Sequence, residues 1–253
     1  SARSVVQGGP LFVDGENGVS ALEMLMEYYD KIMHKKALYT QIRNMWDTSN
    51  ISNFLNSAGY EYEEHLNFLI DLTMPADVLW KKLFKSRRNG INKAKRYGVI
   101  VEEVADEDLI TVVYDSLQET YKKAKLPLDD ISLFKHTFDM LVPRNMAKFF
   151  LAKYEDKYIG IIVILMYKGV IYDWYAGASG DYLRLCPNDV LPWYVMEMGS
   201  NNGYNTFDFG GAGKPDEGYG VREFKLQFGG DLVNYGRYKK IHSPLKVKIA
   251  EKG

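Results

Sequence analysis

Three consecutive strand-like segments in the second half of the chain constrain the fold more than any other feature. They are Lys148–Tyr154, Lys157–Tyr167 and Val170–Ala176, and only two residues separate each segment from the next. Such short joints connect neighbouring antiparallel strands, whereas a parallel crossover needs about a dozen residues or more. The sequence therefore predicts an antiparallel meander inside a larger sheet.

Helical patterns flank this meander on both sides. Apolar residues recur at three- and four-residue spacing in several stretches, which are Ser20–Met33, Pro75–Tyr97, Asp106–Lys125, Ile131–Val142, Asn188–Asn201 and Gly218–Phe228. At 253 residues the chain can bury one large core or two small ones. We predict an α+β (mixed α/β) fold with a mainly antiparallel central sheet flanked by helices.

Composition excludes some classes of protein. The 32 lysines and arginines nearly balance 33 acidic residues, and the net charge of -1 argues against general attraction to nucleic acid, although a local patch can persist. Cys186 is the single cysteine, which fits a reducing compartment, and we expect a cytoplasmic location. The longest apolar run, Ile159–Met166, is too short to span a bilayer. The four histidines lie far apart, so we expect no metal site.

The segment Lys81–Arg96 concentrates positive charge, with eight lysines and arginines and no acid. Arginine can grip phosphate through two parallel hydrogen bonds. We therefore expect Arg87, Arg88 and Lys93 to bind an anionic group of a substrate. The alternative is an ordinary solvated helix face, and the sequence leaves both readings open.

Two glycine-containing stretches follow near the C-terminus. In Asn205–Gly213, alternation separates Asp208 from its flanking phenylalanines, and Gly210 and Gly211 allow a ligand to approach the backbone. A tight turn capped by Asp208 explains the same residues. In Gly218–Gly230, Phe224 and Phe228 share a helical face with Lys225 beside it, which is equally typical of a plain amphipathic helix.

Taken in order, these pieces resemble the FemAB family of acyltransferases and its BioF2-like relatives, which have the GNAT fold. The segments that carry the resemblance are Val5–Pro10, Arg87–Ala94, Tyr172–Ser179, Phe207–Gly211, and Phe224-Lys225 with Phe228–Gly230. The resemblance implies two tandem GNAT-like halves. Residues 1–72 would be the remainder of a first half whose upstream part is missing, residues 73–245 a complete second half, and residues 246–253 a flexible tail.

The resemblance also implies a reaction, the transfer of an acyl or aminoacyl group to an amine of a cell-wall or polysaccharide precursor, as in peptidoglycan biosynthesis. No tightly bound cofactor is expected. The donor stays open between aminoacyl-tRNA and acyl-CoA, because neither the usual GNAT pyrophosphate loop nor the two-helix arm of some tRNA-using members is found. Such an enzyme would work in the cytoplasm, including the inner face of the membrane, on an anionic small molecule or precursor.

The resemblance assigns roles to residues of the C-terminal half. Lys225, with Phe224 beside it, would stabilise charge near the transferring group. Asp208 would orient the amine or accept its proton, Tyr175 would line the cleft, and Gly210, Gly211 and Arg222 would contact substrate. The alternative from another class is a non-catalytic GNAT-like module that binds RNA or an anionic lipid through residues 81–96. The sequence does not indicate an oligomeric state.

Overall fold

In the computed structural model, which describes residues 3–250, the chain divides into two units. Among those residues, the first unit holds 3–67, 213–218 and 233–250, and the second holds 68–212 and 219–232. This division differs from the single boundary expected after residue 72, because the last strand pairs with the first segment of the chain. Residues 246–250 of the expected tail belong to a helix. The rest of the expected tail, residues 251–253, lies outside the described residues, as do residues 1 and 2.

The first unit is built on a four-stranded sheet with the order β1-β2-β11-β3. Its elements are β1 (Ser4–Gly8), α1 (Glu16–Lys36), β2 (Tyr39–Asn44), α2 (Ser52–Ser57), β3 (Glu61–Glu63), β11 (Arg237–Ile241) and α9 (Pro244–Ala250). Strand β1 is parallel to β2, and β11 is antiparallel to both of its neighbours. Leu22, Met26, Ile42, Leu55 and Tyr238 are buried together in its core.

The second unit contains the predicted meander within a seven-stranded sheet of order β10-β4-β9-β8-β7-β6-β5. The strands are β4 (Leu66–Asp71), of which the last four residues belong to this unit, β5 (Ile100–Glu103), β6 (Ala147–Tyr154), β7 (Lys157–Tyr167), β8 (Val170–Ala178), β9 (Thr206–Gly211) and β10 (Asp231–Asn234), of which the first two residues belong to it. The helices are α3 (Ala76–Lys82), α4 (Lys85–Arg96), α5 (Leu109–Lys123), α6 (Ile131–Leu141), α7 (Pro187–Asn201) and α8 (Gly220–Leu226). From β5 to β8, each strand pairs antiparallel with the next one along the chain. The predicted fold class is therefore confirmed.

Strand β7 lies between two helical layers. Its side chains alternate between two apolar clusters, because successive residues of a strand point to opposite faces. Ile161 and Val163 pack in the cluster that contains residues of α5 and α6, whereas Ile162 and Ile164 pack in the cluster that contains residues of α4 and α7. Burial on both faces explains why this strand reads as a continuous apolar run in the sequence.

The single helix predicted from Pro75 to Tyr97 is wrong, because α3 and α4 are separate helices. Leu83 and Phe84 between them have extended backbone conformations, with ψ angles of 140° and 152°. The amide of Phe84 donates to the carbonyl of Gln227 at 2.9 Å. This tertiary hydrogen bond satisfies a donor that an unbroken helix would use internally, and no glycine or proline announces the break.

No helix among residues 3–250 combines the length and the apolar character that a membrane crossing requires.

Candidate active site

The sheet of the second unit opens between β8 and β9. The two strands run parallel and pair from Val170 opposite Thr206 to Tyr172 opposite Asp208, and both continue beyond the last pair. A cleft of about 810 Å³ occupies the opening and is lined by the far ends of both strands. Its volume falls in the range of about 300–1,000 Å³ that is typical of small-molecule sites.

A β-bulge on β8 explains why the strands separate at this place. Asp173 lies opposite Ile164 of β7, and Tyr175 lies opposite Val163, so Trp174 is an extra residue in β8. A bulge bends its strand and increases the local twist. This bulge comes immediately after Tyr172, the last residue of β8 that pairs with β9. The bend therefore directs the end of β8 away from β9 and opens the cleft.

The opened edge of β8 presents backbone amides to the cleft. The amide of Ser179 donates to the carbonyl of Ile159 on the β7 side, whereas the amide of Ala178 donates to Oγ1 of Thr120 at 3.2 Å. Backbone amides alternate between the two edges of a strand. The amide of Ala176, which lines the cleft, therefore lies on the same edge as that of Ala178.

Lys225 of α8 places a buried cation at the cleft, where its side chain forms part of the lining. The residue is 9% exposed, and its Nζ donates to the carbonyl of Phe209 and, at 2.9 Å, to that of Gly211. Burial lowers the pKa of the Lys225 ammonium, while Asp173 and Asp208 oppose that change. An ammonium has three N–H donors. The carbonyls of Phe209 and Gly211 accept two of them, so the third N–H can donate to a ligand.

Asp173 is the carboxylate that lines the cleft. Burial raises its pKa to about 7; nearby Lys225 acts in the opposite direction, and Asp208 raises the pKa further. Among residues 3–250, none donates a hydrogen bond to this carboxylate. A carboxyl group with a pKa near neutrality can exchange protons with a bound amine at physiological pH.

Asp208 occupies a different environment, although it is close enough to influence Asp173 and Lys225. It is 3% exposed, and its Oδ1 accepts the amide of Gly210 at 2.8 Å. Gly210 has a φ of 74°, which an L-amino acid adopts only with strain. The structure therefore shows the turn-capping contact that was one of the two interpretations of Asp208. Asp208 is not among the residues that line the cleft.

The basic segment 81–96 uses its two neighbouring arginines for internal contacts. Arg87 forms a mostly buried ion pair with Asp189 of α7, and its guanidinium lies 5.0 Å from the centre of the Phe224 ring. Nη1 of Arg88 donates to the carbonyls of Lys81 and Leu83, at 3.0 and 2.6 Å, and caps the end of α3. Neither arginine lines the cleft, so binding of a substrate phosphate by Arg87 and Arg88 stays a prediction. Residues 81–96 contain no acidic side chain that could have indicated this ion pair. The partner of Arg87, Asp189, lies 102 positions further along the chain.

Some of the remaining predicted site residues line the cleft, and others lie outside it. Gly210, Gly211 and Phe224 line the cleft with Lys225. Arg222 donates to the carbonyl of Ala212 at 3.4 Å. Lys93 lies beside a shallow depression on α4, together with Lys95 and Arg96, apart from the cleft residues.

Tyr175 was expected to line the cleft, and this expectation is wrong. Its side chain faces the opposite side of β8, where its hydroxyl donates to Asp129 and its ring packs against Phe134. The bulge at Trp174 changes the alternation of side chains along this strand, which the sequence pattern alone does not reveal. Asp173, Tyr121 and Asn188 line the cleft instead and were not predicted. An acidic residue inside the otherwise apolar strand Val170–Ala178 was the available signal for Asp173.

Comparison with known proteins agrees with this geometry. The sequence profile of the acetyltransferase (GNAT) domain matches residues 81–226, which is more than half of the chain. The chain belongs to the acetyltransferase (GNAT) domain family. The match includes the strands that open, the bulge and Lys225, so the cleft described above belongs to the GNAT domain. No curated protein matches the chain in sequence.

Solved structures show the same fold at low sequence identity. The crystal structure of FemX is 16% identical, with a TM-score of 0.73 and coverage of 98% of this chain and 82% of that chain. L-PGS from Bacillus licheniformis is 16% identical, with a TM-score of 0.66 and coverage of 99% and 81%. The C-terminal domain of a proposed lysylphosphatidylglycerol synthetase from Agrobacterium fabrum is 15% identical, with a TM-score of 0.66 and coverage of 100% and 81%. These similarities establish the GNAT-like fold.

The capping contacts of Arg88 give a testable consequence for stability. We expect Arg88→Met to lower the free energy of unfolding by about 1–2 kcal/mol, because two carbonyls at the end of α3 lose a charged donor. Urea denaturation measures the change. Lys95→Met on the same helix is the matched control, since Lys95 is exposed, and we expect it to change stability by less than about 0.5 kcal/mol. Equal effects of the two substitutions would contradict the capping role.

Proposed function

We propose that this GNAT protein is an N-acyltransferase that moves an aminoacyl or acyl group from an activated donor to an amine of a cell-wall or polysaccharide precursor. The observation that carries the proposal is the cleft between β8 and β9, which brings together Asp173, Lys225 and the amide edge of β8. Acyl transfer needs a proton acceptor for the amine and fixed donors for the oxyanion. The cleft offers candidates for both.

The proposed reaction begins with the bound amine. Its nitrogen loses one proton to the Asp173 carboxylate and attacks the carbonyl carbon of the donor, forming a C–N bond. The oxyanion of the tetrahedral intermediate lies near the amide of Ala176 and the Lys225 ammonium, whose charge favours it. Collapse breaks the C–O bond of an aminoacyl ester or the C–S bond of a thioester. The leaving oxygen or sulfur takes up the proton that Asp173 holds.

Fold similarity favours aminoacyl donors within this proposal. One neighbour is FemX, and another is the domain of a proposed lysylphosphatidylglycerol synthetase, a name that implies transfer of lysine. Together with the FemAB-like motifs of the sequence, they support a FemAB-related aminoacyltransferase that takes its donor from tRNA. Acyl-CoA is the second donor class to test. In either case the donor is a substrate, and no tightly bound cofactor is part of the proposal.

A mass-spectrometric transfer screen tests the function. The purified chain would be offered aminoacyl-tRNA and acyl-CoA donors in parallel, with amino-sugar nucleotides and lysine-containing peptidoglycan precursors as acceptors. We expect one donor class to give an acceptor whose mass increases by the acyl group minus one hydrogen. A folded protein that transfers nothing, yet binds RNA or anionic lipid with steep salt dependence, would overturn the proposal in favour of a binding module. Lys85, Lys95 and Arg96, which are exposed on α4, are the residues that such a module would use.

A further inference from the structure

The mouth of the cleft is formed by exposed aliphatic side chains. Leu126, Leu183 and Val221 all line the cleft, and they are 58%, 52% and 43% exposed. They come from three separate places, which are the segment after α5, the 3₁₀ turn of residues 180–185 and the start of α8. Exposed apolar side chains that line a cleft can contact the apolar part of a ligand. Because each of them both faces solvent and lines the cleft, they identify its entrance.

Charge and apolar surface occupy different parts of the same cleft. Among the described residues that line it, the charged ones are Asp173, Lys225 and Lys123. Asp173 and Lys225 interact with each other at the floor, whereas Nζ of Lys123 is already bound to Glu119 at 2.7 Å. A ligand that complements both parts would place a polar reacting group at the floor and an apolar group at the entrance.

We propose that one of the two substrates carries an aliphatic chain, which Leu126, Leu183 and Val221 cover while its reacting group lies beside Asp173 and Lys225. This inference rests on the proposed acyl transfer and names a substrate class for it. The chain belongs either to the acyl group of the donor or to the amine that accepts it. Both sources present the same methylene groups to the same three side chains.

Chain-length series distinguish the two sources. One series varies the donor from acetyl to decanoyl with a fixed acceptor, and the other varies the acceptor from ethylamine to decylamine with a fixed donor. We expect kcat/KM to rise roughly three- to fourfold for each methylene that becomes buried, in one series and not in the other. A flat response in both series would overturn the inference.

Variants at the entrance connect the effect to these residues. The double variant Leu126→Ser with Leu183→Ser is expected to flatten the responding series. Met140→Ser is the matched control, because Met140 is 56% exposed on α6 and does not line the cleft. An unchanged chain-length dependence in the double variant would count against the entrance as the site.

A binding measurement separates this inference from the proposed function. Isothermal titration of the purified chain with octylamine and octanoate, each compared with its butyl analogue, does not depend on turnover. We expect one octyl compound to bind at least about tenfold more tightly than its butyl analogue, and the double variant to lose that difference. Such binding without any transfer would refute the acyltransferase and keep the aliphatic site. Transfer with equal affinity for octyl and butyl compounds would keep the enzyme and refute the aliphatic site.

Discussion

Asp173→Asn is expected to lower kcat/KM of the transfer reaction by about 10²–10⁴-fold, the range typical of losing a general base. Asparagine keeps the size of the side chain but cannot accept the proton of the amine. Rates with the donor and acceptor pair found by the transfer screen measure the effect. Asp115→Asn is the control, since Asp115 is an exposed carboxylate of the same unit. Full activity of Asp173→Asn would remove this carboxylate from the mechanism.

The pH dependence of the same variant provides a second readout. Because the pKa of Asp173 is raised to about 7, the base form increases as pH rises through neutrality. We therefore expect kcat/KM of the original protein to rise through about pH 7 and then level off. Asp173→Asn should lose this rising limb, whereas Asp115→Asn should keep it. An identical limb in Asp173→Asn would assign the titration to another group or to the substrate.

Stability should respond to Asp173→Asn in the opposite sense to activity. The folded state raises the pKa of this carboxyl above its ordinary value of 3.8, so the folded protein binds a proton more tightly than the unfolded chain does. Stability from this group is therefore lost as pH rises from about 4 to about 7. Asparagine does not titrate, so the melting temperature of the variant should increase relative to the original protein over that interval.

Lys225→Met is expected to lower kcat by about 10²–10³-fold, as removal of one oxyanion donor does in other acyl-transfer sites. The same change should lower the free energy of unfolding by about 1–3 kcal/mol, because the carbonyls of Phe209 and Gly211 lose their donor. A fall in melting temperature of about 2–4 °C for each kcal/mol would record it. The loss of kcat and the loss of stability can be measured separately, because we expect the Lys225→Met protein to stay folded at the assay temperature.

Lys122→Met is the matched control for this prediction. Lys122 is an exposed lysine of α5, so we expect Lys122→Met to leave both kcat and the melting temperature unchanged. Lys225→Arg, which keeps the charge, should retain more activity than Lys225→Met. A Lys225→Met protein that melts at a lower temperature yet turns over at the original rate would make the lysine a purely structural residue.

Much of the large sheet could be predicted because its signals are local. The two-residue joints determine the meander, and apolar periodicity identifies the helices around it. The break between α3 and α4 could not be predicted, because the hydrogen-bond partner of Phe84 there, Gln227, is distant in sequence and no residue between the helices is a helix breaker. The pairing of β11 with β2 also joins segments that are far apart in sequence, so the sequence did not indicate that residues 233–250 belong to the first unit.

Part of the candidate site was predictable because its signals, like those of the large sheet, are local in the sequence. Lys225, Phe224 and the two glycines reach the cleft as expected, because a strand, a turn and a short helix follow one another there. The ion pair of Arg87 with Asp189 could not be predicted, because the two residues are 102 positions apart in the sequence. Tyr175 was misassigned because a bulge one residue earlier shifts the strand, and the same bulge brings Asp173 to the cleft.

The position of β11 inside the small sheet has a consequence for biosynthesis. Strand β11 pairs with both β2 and β3, and in the sheet order it is the strand that joins them. A ribosome delivers β2 and β3 long before it delivers residues 237–241, so this sheet cannot close until those residues emerge. The strands that border the cleft are complete once residue 211 has emerged. We therefore expect the nascent chain to pair the strands that border the cleft first and to hold unpaired edges of β2 and β3 until residues 237–241 have emerged.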